Sequence, residues 1–365
     1  MKIVIIVGTR PNFMKAAPLI YEFKKHNIEN VLVHTGQHYD FSMSKLFFDE
    51  LRLPKPDEHL VAGANAEVKN PKEFLKITIT EALKRHNPDL VIVVGDVNST
   101  VAGAEAAHEL GIKVAHVEAG LRSFDSSMPE ENNRIRTDQI SDFMFTTEKS
   151  GNINLQKEGI TKDKIFFVGN VMIDSLLHHK KKSSSSKILQ KINLKKNDYC
   201  VLTLHRPSNV DAKQGLEKIF SILEKIQDKI KIIFPIHPRT RKNIGLYGFK
   251  NKLKNMKKVI VTEPLGYLDF LWLMSNSKLI LTDSGGIQEE ATVLGIPCIT
   301  LRENTERPVT VEQGTNLLVS TNEGKVVKKA MEVIENKIKI KPKIPELWDG
   351  KAAERIVKVL IDRLD

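Results

Sequence analysis

Apolar residues in this chain come in short continuous runs rather than in alternation with polar ones. In the first half the runs are KIVIIVG (2–8), NVLVHTG (30–36), DLVIVVGD (89–96), KVAHVEAG (113–120), DFMFTT (142–147) and KIFFVGN (164–170). Rich in Val and Ile and without polar alternation, they predict parallel strands covered on both faces. Between them lie stretches such as NFMKAAPLIYEFKK and STVAGAEAAHEL, which read as helices. The pattern then repeats through YCVLTLH (199–205), KIIFPIH (231–237), KVIVTEP (258–264), KLILTD (278–283), PCITL (297–301) and NLLVS (316–320). Strand and helix in turn, twice over, predict two doubly wound α/β domains. The polar, low-complexity HHKKKSSSSK at 178–187 has no apolar periodicity and predicts a linker or exposed loop between them. These signals place one domain at 1–177 and a second at 188–346. An amphipathic helix over 347–365, with Ala353, Ile356, Val359 and Leu360 apolar, is expected to cap the assembly or cross back to the first domain. Open α/β sheets bind ligands at the carboxyl ends of their strands, so two of them predict a cleft between facing edges.

The sharpest local signal is KLILTDSGGIQEEATVLGIPCIT at 278–300. A strand breaks at Asp283, Ser284, Gly285 and Gly286, and a helix follows with Ile287, Ala291 and Leu294 at helical spacing before Gly295 ends it. Such a turn aims unpaired N–H groups and the positive end of the helix dipole at one point, which suits a phosphate. Gly286 and Glu290 share a helix face, so a phosphate at the turn would leave Glu290 near a ribose. ThrGluArgPro at 305–308, just past the next strand, would bring Arg307 to the same edge.

Composition narrows the field. At 365 residues the chain is long for one core, and 41% hydrophobic with 28% charged residues is the balance of a soluble globular protein. The opening MKIVIIVGTR reads as a buried strand rather than a signal peptide, and no apolar run reaches membrane-spanning length, so a cytoplasmic protein without a membrane partner is expected. Cys200 and Cys298 sit in apolar strand patterns and read as buried thiols; no Cys/His cluster has metal spacing, so no metal is expected. The turn after the first strand, GTRPN at 8–12, lacks the dinucleotide and P-loop fingerprints, so no cofactor is expected. The net charge of +11 rests largely on dispersed lysines at 177–196, 250–258 and 337–343, without interleaved aromatics, which argues against a nucleic-acid partner. It would still attract an acidic small substrate.

The polar clusters fall at the predicted carboxyl ends of strands. The first domain gives Arg10 with Lys15, then His34, Gln37 and His38, Asp96, His116 and Glu118 with Arg122, and Met128 to Arg134. The second gives His205 with Arg206, His237 with Arg239, the 283–286 turn, and Arg307. Asp96 could cap the helix STVAGAEAAHEL or serve chemistry. Glu118 ends a run buried on both sides and needs either a partner such as Arg122 or a catalytic reason. Glu130 and Glu131 could open a helix after Pro129. His205 and His237 could each be a satisfied core histidine. Three carboxylates, Asp96, Glu118 and Glu130, beside arginines and a histidine can divide acid and base roles.

The ordered set GTRPNFMKAAPL, GDVNST, HVEAGLRS, MPEENNR, GN-V-IDSLL, LILTDSGGIQEEA and TERP, from residue 3 to about residue 320, resembles the non-hydrolysing UDP-N-acetylglucosamine 2-epimerases. The resemblance implies two Rossmann-like domains of the glycosyltransferase-B type facing across a cleft, a homodimer, and cytoplasmic conversion of UDP-N-acetylglucosamine to UDP-N-acetylmannosamine for surface polysaccharides. It implies nucleotide contacts from Arg10, Ser284, Gly285, Gly286 and Glu290, with Lys15, Arg307, His205 and His237 lining the diphosphate and sugar, and Phe270 against the uracil. Asp96, Glu118 and Glu130 match the family's catalytic carboxylates, with His205 a further candidate. The implied chemistry eliminates UDP to give 2-acetamidoglucal and adds it back with the proton on the opposite face. Departures are the segment His205 to Asp211 in place of an HRRE-like motif, Gln37 to Asp40 where allosteric members carry another polar pair, and Leu265 for a polar residue. They argue against the regulatory site of those members and leave open a modified sugar such as a UDP-2,3-diacetamido uronic acid. A glycosyltransferase-like enzyme is the rival on the same fold, but a retaining transferase has no need of three acids in its first domain.

Overall fold

The structure is a computed structural model that describes residues 1–36, 55–60, 70–338 and 342–364. It divides into two compact units, one of residues 1–178 with 346–365 and the other of 179–345.

Unit 1 is built on β1 (Lys2–Val7), β2 (Glu29–His34), β3 (Glu58–His59), β4 (Leu90–Val94), β5 (Lys113–Ala119), β6 (Phe143–Thr146) and β7 (Ile165–Phe167). Among the described residues they form one parallel sheet in the order β3-β2-β1-β4-β5-β6-β7. The central strands are fully buried, as their unbroken apolar runs require. The order reverses direction between β1 and β4, the point where an open sheet leaves a crevice at its carboxyl edge. The turns GTRPN and GDVNST follow these two strands.

Unit 2 repeats the scheme with β8 (Tyr199–Thr203), β9 (Lys231–Pro235), β10 (Val259–Thr262), β11 (Leu279–Thr282), β12 (Cys298–Thr300) and β13 (Asn316–Leu318), ordered β10-β9-β8-β11-β12-β13. Its reversal lies between β8 and β11, which lead into His205 and the Asp283–Gly286 turn. Cys200 and Cys298 are buried in this sheet, where burial pushes both thiols up.

Two details differ from the sequence reading. The polar 178–187 segment is not a loop from its start: the helix Val171–Ser183 runs through its first half. His179 and Ser183, four residues apart, occupy the inward positions that apolar residues usually fill, while Lys180, Lys181 and Lys182 face out. Lysine favours helix and no apolar stripe marks it. Secondly, β3 went unread, because two residues carry no periodicity.

The final helix, Ala352–Leu364, belongs with unit 1. Asp174 accepts from the backbone N–H groups of Ala352 (3.1 Å) and Ala353 (2.8 Å), and buried Trp348 donates from Nε1 to the Thr147 carbonyl at 2.8 Å. Val357 rather than Val359 joins Ile356 and Leu360 on the buried face.

Candidate active site

In unit 1 the crevice begins with Asn12. Its Oδ1 accepts from the N–H groups of Gly8 (3.1 Å) and Thr9 (3.0 Å) and its Nδ2 donates to the Val94 carbonyl (3.0 Å), tying the turn after β1 to the end of β4. One turn on, Lys15 lies buried with Nζ 2.5 Å from Glu118 Oε2. A Cβ on Gly95, whose φ is +71°, would come within 2.8 Å of that nitrogen, and the left-handed backbone favours glycine there. Glu118 itself has φ +79°, at a register shift between Val117 and Ala119 in the pairing of β5 with β6. A left-handed backbone costs a non-glycine residue about 1–2 kcal/mol. The partner of Glu118 is thus Lys15, not Arg122 as its nearness in sequence suggested. Arg122 instead bonds Asp138 Oδ2 (2.7 Å) and, through Nε and Nη2, both oxygens of Glu158 (2.8 and 2.7 Å).

The helix Pro129–Ile140 faces these turns with polar groups. Glu131, Asn133, Arg134, Thr137 and Asp138 are buried on it. Arg134 donates to Asp96 Oδ2 (2.5 Å) and Glu131 Oε2 (2.6 Å), and Asn133 to the Asp96 carbonyl (3.0 Å). Asp96 is therefore an ion-pair partner of Arg134, and Val97, which stands at the N-cap of the following helix Asn98–Glu109, makes no side-chain cap itself. Glu130 stands half-buried in the first helical turn, four residues before Arg134. His34 lies elsewhere in this sheet: its Nδ1 is 3.1 Å from that of His59, and burial, then the neighbouring His59, push it down to about 4. It is a core histidine. Gln37 and His38 lie outside the described residues, as does the side chain of Arg10.

In unit 2 the helix Gly285–Leu294 starts at the switch point, capped at its far end by left-handed Gly295. The Ser284 N–H donates to Thr282 Oγ1 (3.0 Å), and the N–H groups of the next residues head the helix without intrahelical acceptors. Arg307 reaches this turn: a Cβ on Gly285 would lie 2.9 Å from its Nη1 and 2.8 Å from Glu306 Oε1. Arg307 is gripped by Glu289 Oε1 (2.6 Å) and Glu306 Oε1 (2.7 Å), and Arg302 holds the other oxygen of Glu306 at 2.8 Å. The turn thus presents amide hydrogens beside a positioned guanidinium, a cradle for a phosphoryl group. Glu290, buried one turn along, accepts from Tyr267 Oη at 3.0 Å.

His205 leaves β8 with Nδ1 3.1 Å from Asp283 Oδ1 and remains partly exposed. Asp283 also accepts from the N–H groups of His205 (3.1 Å) and Arg206 (3.0 Å) and from Asn209 Nδ2 (3.1 Å). Burial alone would raise its carboxyl; the bonds from His205, Arg206 and Asn209 outweigh that and hold it below the usual carboxylate range. Nδ1 of His205 is thus engaged by the Asp283 carboxylate, leaving Nε2 as the ring's other polar atom. His237 lies with its ring centroid 5.6 Å from that of His205; its Nδ1 accepts the Arg239 N–H (3.2 Å). Arg239 pairs with Asp211, with Nε 2.7 Å from Oδ1. Phe270 packs, half-buried, on the unit 2 core together with Leu265.

The sequence reading gave no role to Asn12, Asn133, Asp138, Arg302 or Glu289. For Asn133 and Asp138 the available signal was the helix Pro129–Ile140, whose isoleucines, Ile135 and Ile140, are too few to make an apolar stripe. Among the described residues there is no group of three or more metal-ligating side chains, and no helix is long and apolar enough to cross a membrane.

A family model for UDP-N-acetylglucosamine 2-epimerase matches residues 22–361. The chain is 48% identical over 367 residues to the UDP-N-acetylglucosamine 2-epimerase of Methanocaldococcus jannaschii, covering 99% of each. It is 39% identical over 365 residues to the UDP-2,3-diacetamido-2,3-dideoxy-D-glucuronate 2-epimerase of Pseudomonas aeruginosa, again covering 99% of each. Among solved structures it is similar to the Methanocaldococcus jannaschii UDP-GlcNAc 2-epimerase crystallised in complex with UDP-GlcNAc and UDP, with a TM-score of 0.93 and 46% identity over 99% of this chain and 100% of that one.

Proposed function

The chain belongs to the UDP-N-acetylglucosamine 2-epimerase family, and from that premise we propose that it interconverts UDP-N-acetylglucosamine and UDP-N-acetylmannosamine by eliminating and re-adding UDP. A carboxylate of unit 1 takes the proton from carbon 2 and the freed electron pair forms the C1=C2 bond of 2-acetamidoglucal. The C1–O bond breaks, its electrons leaving on the UDP diphosphate. UDP then re-adds to carbon 1 while a conjugate acid on the opposite face returns a proton to carbon 2. Asp96, Glu118 and Glu130 are the proton-transfer groups, with His205 a further one. The amides of Ser284, Gly285 and Gly286 with Arg307 bind the diphosphate, joined by Arg10, Lys15 and His237; Glu290 takes the ribose hydroxyls and Phe270 the uracil.

The observation that carries this reading is the Lys15–Glu118 pair. A buried ion pair on a left-handed carboxylate residue, one strand beyond a sheet's switch point, is costly, and such strain persists where chemistry uses it. Family membership supports a cytoplasmic homodimer with no cofactor and no nucleic-acid or membrane partner, its product supplying surface polysaccharide. The Pseudomonas aeruginosa relative supports a second reading, the same inversion on a UDP-2,3-diacetamido uronic acid.

The test is a proton NMR time course with UDP-N-acetylglucosamine in heavy water and no added cofactor. Growth of UDP-N-acetylmannosamine with deuterium at carbon 2 is expected. Free N-acetylmannosamine would point to hydrolysis instead, and turnover of the diacetamido uronate alone would install the second reading.

A further inference from the structure

Asp138 lies in the last turn of the helix Pro129–Ile140 and is fully buried, yet the chemistry above makes no use of it. Its two oxygens grip the chain on either side of Glu118. Oδ1 is 2.6 Å from Nδ1 of His116, two residues before; Oδ2 accepts the N–H of Gly120, two residues after, at 3.1 Å. His116 extends the grip: its Nε2 donates to the Gly95 carbonyl at 2.8 Å, and Gly95 in turn donates its N–H to the Val117 carbonyl at 3.0 Å. A carbonyl oxygen only accepts, so Nε2 carries a hydrogen, and Nδ1 meets a carboxylate.

Gly120 is wedged from its other side as well. Its carbonyl accepts from Asn154 Nδ2 at 2.9 Å, and a Cβ on it would lie 2.5 Å from the Gly151 carbonyl oxygen. The segment 116–120 is therefore fixed at both ends, and the register shift with its left-handed residue falls between the two fixed points. Burial raises the Asp138 carboxyl, but His116 and Arg122 more than reverse this, so Asp138 grips as an anion.

We propose that Asp138 is a positioning residue for Glu118: by holding His116 and Gly120 it imposes the left-handed backbone that delivers the Glu118 carboxylate to Lys15 and to the substrate. This rests on the reading of Glu118 as a proton-transfer group. Strain of this kind survives only where its surroundings over-determine it, and the two oxygens of one buried carboxylate supply that constraint. The Asp138 carboxylate is thus a specific requirement of this bulge rather than a general ion pair.

The experiment uses full-length Asp138→Asn and His116→Gln, the second breaking one arm only. Crystal structures of both need no substrate: Glu118 is expected to leave the left-handed region or to separate from Lys15. In kinetics with UDP-N-acetylglucosamine, Asp138→Asn is expected to lower kcat about 100-fold, the order of loss for a misplacement near 1 Å, while KM and UDP affinity stay near wild type. His116→Gln is expected to show the same split to a smaller degree. Glu118 unmoved in both variants overturns the proposal, and so does a loss of UDP affinity in parallel with kcat. If the wild-type chain turns over no UDP sugar, the functional reading fails by itself and the crystal structures still decide whether Asp138 imposes the Glu118 backbone.

Discussion

Replacing Lys15 by Met tests the ion pair at the centre of the proposed reaction. The ammonium and the Glu118 carboxylate are 2.5 Å apart with side chains 7% and 2% exposed, so removing one leaves the other desolvated without its counter-charge. Breaking a buried pair from one side costs about 3–5 kcal/mol. With an m-value of about 2 kcal/mol/M, the urea midpoint of unit 1 falls by about 2 M. The chain offers a probe specific to that unit. Its two tryptophans are divided, with Trp348 buried in unit 1 and Trp272 in unit 2, so a Trp272→Phe background reports unit 1 alone by fluorescence. Adding Glu118→Gln to Lys15→Met removes the orphaned charge and is expected to restore more than half of the loss. A midpoint shift under about 0.5 M for the single variant, or a double variant no more stable than the single, would refute the reasoning.

Arg307→Ala is expected to weaken UDP binding about 10- to 100-fold by calorimetry, the worth of a charge-assisted bond, whereas Glu118→Gln and Asp96→Asn keep UDP affinity and lose turnover. Gly120→Ala meets the Gly151 carbonyl at 2.5 Å from a left-handed backbone and should unfold unit 1 or leave it insoluble. Gly111→Ala, left-handed with nothing within 4 Å, should cost only about 1–2 kcal/mol in the same urea assay. Asp174 is pushed up to about 6, burial outweighing the helix N–H groups it accepts, so between about pH 4 and 6 the folded chain binds more protons than the unfolded one. Stability of unit 1 should therefore fall as pH rises through that window, and Asp174→Asn should flatten the slope; an equal slope in both proteins would remove Asp174 as its source.

The sheets were legible because parallel strands buried on both faces write themselves as unbroken Val and Ile runs, and the phosphate turn because Asp283 to Gly286 interrupts one of them. What escaped reading depended on partners distant in sequence. Lys15 meets Glu118 only because β1 and β4 are neighbours and β5 lies next to β4, an order that no local pattern encodes. Arg122, four residues on, was the partner that nearness in sequence offered, but the chain there is a bulged strand end and Glu118 pairs with Lys15. The helix Val171–Ser183 was obscured where His179 and Ser183 stand in for apolar residues. Asp138 gave no signal because the groups it holds, the His116 ring and the Gly120 N–H, belong to another element.

Residues 346–365 return to unit 1 after all of 179–345 has been made, so the second unit is an insertion within the first. During synthesis unit 2 has its whole sequence before unit 1 does, although unit 1 began earlier. Until the helix Ala352–Leu364 emerges, the surface that Ile356, Val357 and Leu360 cover stays open and Asp174 lacks the two N–H groups it accepts. The nascent first unit, with its seven described strands already made, stays one helix short until residues 352–364 emerge.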